Sequence, residues 1–241
     1  GKPLLDKILD VAGQKGTGKW SAIAAMDEND PLTLITEAVY ARLLSALYPE
    51  RIKAASLYSG KLKVESGKLS DNAQLSIEDV RQALYAAKLI SYAQGFSLLR
   101  HASEHYGWDL DYGTIARIWR KGCIIRSVFL QKITEAYRKD PDLENLLFDD
   151  FFHTKIQEAL PAWRRVVAEG ALSGVALPAM SSALNYFDGL RTLYSAANMI
   201  QAQRDYFGAH TYERTDRERG HFFHTNWTGE GGNTVSGTYS V

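Results

Sequence analysis

The densest set of residues that could do chemistry lies near the start of the chain, in Ala12-Gly-Gln-Lys-Gly-Thr-Gly-Lys-Trp20. Its glycines let the backbone approach a ligand closely and turn N–H groups toward it. Lys15 adds a point positive charge and Thr17 a hydroxyl. Such a set suits a cluster of anionic oxygens, most simply a phosphate. The same composition also suits a plain helix–helix connection with solvated lysines. Gly13 and Gly18-Lys19 stand at P-loop spacing, but Trp20 occupies the position of the magnesium-binding Ser or Thr. The segment before it reads as a helix, not a strand, so a nucleoside triphosphatase is excluded. Arg42 follows on the next helix, opposite much of its apolar stripe. A guanidinium can hold a phosphate through two bonds; a solvated or ion-paired arginine is the alternative.

A second dense stretch is Arg204-Asp-Tyr-Phe-Gly-Ala-His-Thr-Tyr212. His210 can titrate near neutrality and Arg204 carries fixed charge. The stretch also reads as a helix end with a basic residue at its negative pole. His221 and His224 bracket two phenylalanines and precede Thr225-Asn-Trp227. They lack carboxylate or cysteine partners at metal-ligand spacing, so no metal site is expected. Phe222, Phe223 and Trp227 read instead as anchors that dock a tail. His101 and His105 share a helix face without a third ligand. Cys123, in an apolar Gly-Cys-Ile-Ile setting, reads as packing. Asn226-Trp227-Thr228 is a formal glycosylation triplet, but no leader sequence accompanies it.

Around these residues the chain has ordinary globular composition. It holds 241 residues, 45% of them hydrophobic, with 28 basic and 28 acidic side chains. That balance argues against nucleic-acid binding through a basic surface. One cysteine excludes an intramolecular disulfide or a cysteine-rich zinc site and suits a reducing compartment. No apolar run approaches the roughly 20 residues of a membrane span, and a cytoplasmic location is expected. The chain opens Gly1-Lys2-Pro3 without Met and runs straight into a helical pattern, which reads as a piece of something longer.

The elements that must position the site are helical. Leu4, Leu5, Ile8, Leu9 and Ala12 fall at helical spacing, with Gly13 as a stop. Gln14 to Lys19 reads as loop and Trp20 to Met26 as a short helix. Pro31 opens a helix whose buried stripe is Leu32, Ile35, Val39, Leu43 and Leu47. A short helix over 49–59 and a loop over 60–74 follow. Ser76 and Asp79 form a capping-box variant that starts a long helix from Ile77 to about His105. Further helices are expected over 114–121, 125–139, 141–147, 151–169 and 178–206. No sustained period-two pattern appears, so strands are not expected over most of the chain. The fold class is all-α: a large multi-helix domain over 1–207, then an extended C-terminal tail over 208–241. Residues 229–241 are Gly/Ser/Thr-rich and can bury little, so tail order is expected only with something bound. Ile35-Thr-Glu-Ala-Val39 echoes Met180-Ser-Ser-Ala-Leu184, each after a proline in a helix that later carries an arginine. The echo would mark a duplicated helical unit.

The dense motifs together resemble a known family. Ile8-Leu-Asp-Val-Ala-Gly-Gln-Lys-Gly-Thr-Gly-Lys-Trp20 closely resembles the signature of the decarboxylating 6-phosphogluconate dehydrogenases. The resemblance continues through Pro31 to Arg42, Ala116 to Arg126, Gln203 to Tyr212 and His224 to Trp227. It implies an oxidoreductase of the oxidative pentose phosphate pathway. That enzyme converts 6-phosphogluconate to ribulose 5-phosphate and CO2 with NADP. The family subunit has an N-terminal Rossmann-type domain for NADP, an all-helical domain and a tail; this chain resembles the last two. By resemblance, Lys15, Thr17 and Arg42 hold the substrate phosphate. Arg204 and His210 reach the substrate of the neighbouring subunit of a homodimer. Ser236, Thr238 and Tyr239 match loosely a stretch that approaches the partner's coenzyme.

The family's general-base lysine and acid glutamate are expected before this segment, and no Gly-x-Gly-x-x-Gly fingerprint follows a strand in it. No catalytic residue is therefore assigned here, and the isolated chain is expected to be inactive. The competing reading is a stand-alone helical module that binds phosphosugars or dimerises without catalysis.

Overall fold

The computed structural model describes residues 3–58, 75–120 and 123–229. They form α1 (Thr17–Asp27), α2 (Thr33–Ala46), α3 (Tyr48–Tyr58), α4 (Ile77–Tyr106), α5 (Tyr112–Ile118), α6 (Leu130–Lys139), α7 (Asp150–Leu172), α8 (Pro178–Leu190) and α9 (Ala197–Gly208). An antiparallel pair of two-residue strands, β1 (Tyr212–Glu213) and β2 (Phe222–Phe223), completes them. The protein is thus mostly helical, as its periodicity predicts. The chain divides into two compact units, Gly1–Asp188 and Gly189–Val241.

The first unit is built on α4 and α7. The Ser76 hydroxyl accepts from the Asp79 amide, and the Asp79 carboxylate accepts from the Ser76 amide, so the expected box caps α4. These bonds, with an ion pair from Arg165 of α7, hold the Asp79 carboxyl down to about 2. Along α4 the buried face carries Ala83, Ala86, Ala87 and Ala93, whose small side chains admit α7 closely. Larger neighbours, Leu89, Ile90 and Phe96, fill the space beside them. From α7 come Phe152, Ile156 and a fully enclosed Trp163, whose indole N–H donates to the Met180 carbonyl at 3.1 Å. Burying a Trp requires such a partner for its polar edge. α6 turns Leu130, Ile133, Thr134 and Tyr137 inward on one face. The Phe96 ring sits 5.4 Å from both Trp119 and Tyr137, tying α5 and α6 to α4.

α2 is joined to this core by a polar contact. Its N-terminus has no side-chain cap of its own. Instead, Gln94 of α4, fully buried, accepts from the Leu34 amide at 3.1 Å and donates to the Thr33 hydroxyl at 2.9 Å. One of the orphan amides of α2 is thereby satisfied from a different helix.

Several elements differ from their sequence pattern. The apolar residues between Leu4 and Ala12 form only a 3-10 turn, Leu4–Lys7, and Leu4, Leu5, Ile8 and Leu9 are exposed. Short helices depend on packing for stability, and the described residues offer this stripe no cover. The α2 stripe is buried at Leu32 and Val39 but exposed at Leu43 and Leu47, because helix packing stops after Val39. Residues 141–147 contribute only the start of a 3-10 turn, Leu146–Phe148. The long helix expected over 178–206 is broken between α8 and α9. There the Thr192 amide turns back to the Gly189 carbonyl, and the Ser195 hydroxyl accepts from the Ala197 amide. Such local side-chain bonds compete with helix continuation. The two echoing segments lie in α2 and α8, but Arg191 falls just past the end of α8. The loop expected over 60–74 lies outside the described residues.

Replacing Gln94 by Leu should strand the Leu34 amide in the core. We expect a loss of roughly 1–3 kcal/mol in denaturant unfolding, the cost of an unsatisfied buried donor. An unchanged midpoint would contradict the trans-cap role.

Candidate functional site

The glycine-rich segment is loop only as far as Gly16. Thr17, Gly18 and Lys19 form the first turn of α1. Gly16 caps that turn with φ +101°, a left-handed conformation that a side chain would strain. No side chain caps α1, so its first amides are left for another acceptor. Amides at a helix N-terminus, beside the positive end of the dipole, suit an anionic oxygen. Lys15 and Thr17 flank Gly16 and are both exposed. Neither side chain is bonded to another described residue.

Two contacts lay this segment along α2. At one end the Ala12 amide donates to the Ser45 hydroxyl at 2.9 Å, and that hydroxyl donates to the Arg42 carbonyl at 2.7 Å. At the other end Gly18 packs on Val39; a Cβ at Gly18 would stand 2.8 Å from Val39 Cγ2. Residues 12–18 and 39–45 therefore run side by side, and Arg42 lies midway along the contact. Arg42 is exposed and makes no ion pair among the described residues. Arg51 of α3 fixes the approach further back. Its guanidinium donates to the Asp10 and Ser45 carbonyls, each at 3.1 Å, and pairs with the Asp10 carboxylate. The Arg51 guanidinium in turn holds the Asp10 carboxyl below its ordinary value. Lys15, Thr17 and Arg42 are thus brought to one strip of the first unit. The groups that hold them there, Ser45, Arg51 and Gly18, were not singled out by sequence. Ser45 lies more than thirty residues from Ala12, and Arg51 more than forty from Asp10, beyond any local pattern.

The second unit places Arg204 and His210 at the end of α9. Arg204 is exposed and donates to Gln201 Oε1 at 3.0 Å. His210 is half-buried, its ring folded over Gly208; a Cβ at Gly208 would stand 2.8 Å from His210 Nε2. The organising residue lies between them. Asp205 is fully enclosed, and both of its carboxylate oxygens are shared. Oδ1 accepts from the Thr211 amide at 3.0 Å and pairs with His224 Nδ1 at 2.9 Å. Oδ2 accepts from the Thr225 amide at 3.0 Å and the Trp227 indole at 2.9 Å. Burial pushes this carboxyl up, but the bonds from Thr225, His224, Trp227 and Thr211 outweigh it and hold it below the usual range. These bonds also hold Ala209 and Thr211 at positive φ, +50° and +56°, where side chains are uncommon. Residues 209–229 thus fold around a buried charge rather than an apolar core, which composition alone did not foretell. Trp227 does act as an anchor, through its indole N–H onto Asp205.

The remaining candidates serve structure. His101 Nδ1 pairs with Asp30 at 2.8 Å, and His105 Nδ1 with Glu28 at 2.8 Å. Among the described residues no group of three or more His, Cys, Asp or Glu is placed to hold a metal ion. No strand leads through a glycine turn into a helix, so the described residues offer no dinucleotide site of that kind. Ser236, Thr238 and Tyr239, expected near coenzyme, lie outside the described residues. No described helix is long and apolar enough to cross a membrane.

Comparison with known proteins places this strip and tail in context. The family model "6-phosphogluconate dehydrogenase, C-terminal domain" matches residues 1–227. The decarboxylating 6-phosphogluconate dehydrogenase of Treponema pallidum is 53% identical over 243 residues, covering all of this chain and 50% of its own. The enzyme of that name from Rattus norvegicus is 53% identical over 241 residues, covering all of this chain and 49% of its own. The chain therefore spans about half the length of the curated relatives it matches. A solved Plasmodium falciparum 6-phosphogluconate dehydrogenase, described as apo and in complex with its cofactor NADP+ and its substrate 6-phosphogluconate, superposes with a TM-score of 0.82. It is 41% identical and covers 93% of this chain and 47% of its own. A match that runs from Gly1 through the glycine strip to Trp227, at this identity, leaves one assignment: the chain belongs to the 6-phosphogluconate dehydrogenase family, as its C-terminal domain.

Proposed function

We propose that this chain is the phosphate-binding and dimer-forming part of an enzyme that oxidatively decarboxylates 6-phosphogluconate to ribulose 5-phosphate and CO2 with NADP. The observation that carries the reading is the strip formed by residues 12–18 against α2. There Lys15, Thr17, Arg42 and the uncapped amides of α1 are free of partners among the described residues. A phosphate monoester near neutral pH carries close to two charges, which suits two cations, a hydroxyl and oriented amides. The 53% identity to decarboxylating enzymes across the whole chain supports this reading over a stand-alone module.

In this proposal the chain binds and orients substrate. Lys15 neutralises the phosphate as a point charge, Thr17 and the amides of α1 donate to its oxygens, and Arg42 clamps it through two bonds. Anchoring the phosphate fixes the sugar acid by its far end, so reacting carbons are held without cost at the moment of reaction. NADP, when bound, supplies the hydride acceptor; no described residue of this chain is assigned to it. Residues 1–207 act as the substrate-binding and dimerisation domain and 208–241 as the tail. Arg204 and His210 act on the substrate of the partner subunit in a homodimer with exchanged tails. The rigid frame around Asp205 supports this, since it presents both residues without help from an apolar core. The exposed Trp20, Leu43, Leu44, Leu47 and Ile52 support an apolar dimer contact. We place the enzyme in the cytoplasm.

In the full-length enzyme, Arg42→Ala and Arg204→Ala should each raise the KM for 6-phosphogluconate by about tenfold or more, with a smaller change in kcat. An unchanged KM for either would refute its place on the phosphate. Light scattering should give a dimer at micromolar concentration; a monomer at high concentration would refute the exchanged tail. Asp205 supplies the pH test. Its folded pKa is depressed, so its contribution is complete above the unfolded value, about 4, and is lost as pH falls through the folded value. Acid should release the tail, read as a Trp227 fluorescence change that Trp227→Phe abolishes. In Asp205→Asn the tail should already be loose at neutral pH, and a neutral-pH spectrum like wild type would contradict this.

A further inference from the structure

A second concentration of positive charge lies elsewhere in the first unit, on residues that the substrate assignment does not use. A cavity of about 420 Å³ is lined by Tyr85, Lys88, Arg120, Arg126, Ser127 and Phe129, among others. An adjoining cavity shares Arg120 and Ser127 and adds Arg117. Four cations thus line one depression, and among the described residues its lining includes no carboxylate. Elsewhere the surface pairs its charges: Arg81 with Glu78, Lys132 with Glu135, Lys155 with Glu158. None of Lys88, Arg117, Arg120 and Arg126 makes an ion pair among the described residues. Arg120 donates only to the neutral Gln131 amide oxygen. In a chain of zero net charge, four cations around one hollow, of which Arg117 alone is felt by a nearby carboxylate, that of Asp111, are a local excess that favours an anionic occupant.

The hollow is also held in shape. The loop bearing Arg126 is tied at one end by the Tyr92 hydroxyl, which donates to the Ile125 carbonyl. At the other end Phe129 is buried edge-on between Tyr85 and Tyr92, at centroid distances of 5.8 and 5.0 Å. Arg126 and Ser127 sit between these anchors, so their placement does not depend on a ligand. Lys88 stands over the Phe129 ring, 5.8 Å from its centroid.

We propose that this depression binds a small ligand carrying two or more phosphate groups. The four cations exceed what one phosphate can engage, and guanidinium groups grip phosphate oxygens in pairs. A single carboxylate would leave most of that charge unanswered, and a monophosphate would still leave part of it. Inorganic pyrophosphate, a nucleoside diphosphate and a sugar bisphosphate share the required chemistry.

The test uses the full-length protein with inorganic pyrophosphate as the probe, followed by calorimetry and by the rise in melting temperature. Binding should weaken by about tenfold or more in Arg120→Ala/Arg126→Ala, as expected for lost charge-assisted bonds. It should survive in Arg42→Ala, which alters the sugar-phosphate strip. Binding should also fall steeply with added salt. ADP and a sugar bisphosphate, run as parallel arms, identify the preferred carrier; either binding with the same sensitivity supports the proposal. Absence of binding by all three probes would overturn it. So would binding that is lost in Arg42→Ala yet unchanged in the double variant, which would place the anion on the glycine strip. Circular dichroism of the double variant, whose two side chains are exposed, guards against a folding defect, and Arg120→Gln/Arg126→Gln provides a second charge-removing pair.

Discussion

The contact between α4 and α7 is the one on which the larger unit rests. A row of alanines on α4 admits α7 closely, and the enclosed rings of Phe96, Phe152 and Trp163 fill the remaining volume. Close packing of this kind is rigid because any void forfeits contacts on all sides. Everything that presents the glycine strip is referred to this pair of helices. Gln94, on the buried side of α4, holds the start of α2; α2 carries Val39 and Ser45; these hold Gly18 and Ala12. The chain of support from core to strip therefore runs through one buried amide and one glycine whose missing Cβ lets Val39 pack closely.

The tail uses a different kind of support. A segment with few aliphatics cannot fold on hydrophobic burial. It folds instead on a single enclosed carboxylate that answers two amides, an imidazole and an indole. Such a charge is costly to bury unless all its lone pairs are satisfied, and here the donors come from residues 211, 224, 225 and 227. The same arrangement sets the backbone between Arg204 and His210. A buried ionic hub is directional where an apolar cluster is not, so it fixes the backbone on either side of Asp205.

Local chemistry was legible wherever partners are close in sequence. The Ser76–Asp79 box, the start of α4 and the helical character of most segments followed from spacing and capping alone. The family also followed from the motif blocks, since five separate matches are hard to satisfy by chance. Less legible was which apolar stripe is covered. Leu43 and Leu47 carry the same pattern as Val39, yet of the three only Val39 is buried. Leu4 to Leu9 carry a helical pattern but form only a short turn, because amphipathicity supplies a helix only when something receives its apolar face. The break between α8 and α9 was hidden for a related reason: backbone bonds to Ser195 and Gly189 outcompete a weak propensity.

By itself, the sequence determined the helical class and the principal caps, and it supplied the candidate residues of the site: a lysine, a threonine and glycines in one loop, an arginine in the next helix, an arginine and histidine near the end. It determined these because they depend on chemical identity and on neighbours within one or two turns. Only the tertiary structure decided that Thr17 opens a helix rather than closing a loop, that Arg42 lies beside it, and that Asp205 is the hub of the tail. Those facts depend on contacts made by Ser45, Arg51, Gln94 and Trp227 across some twenty to sixty residues of chain. No local pattern carries such contacts, because they are fixed by how the helices pack and by which buried polar groups then require partners.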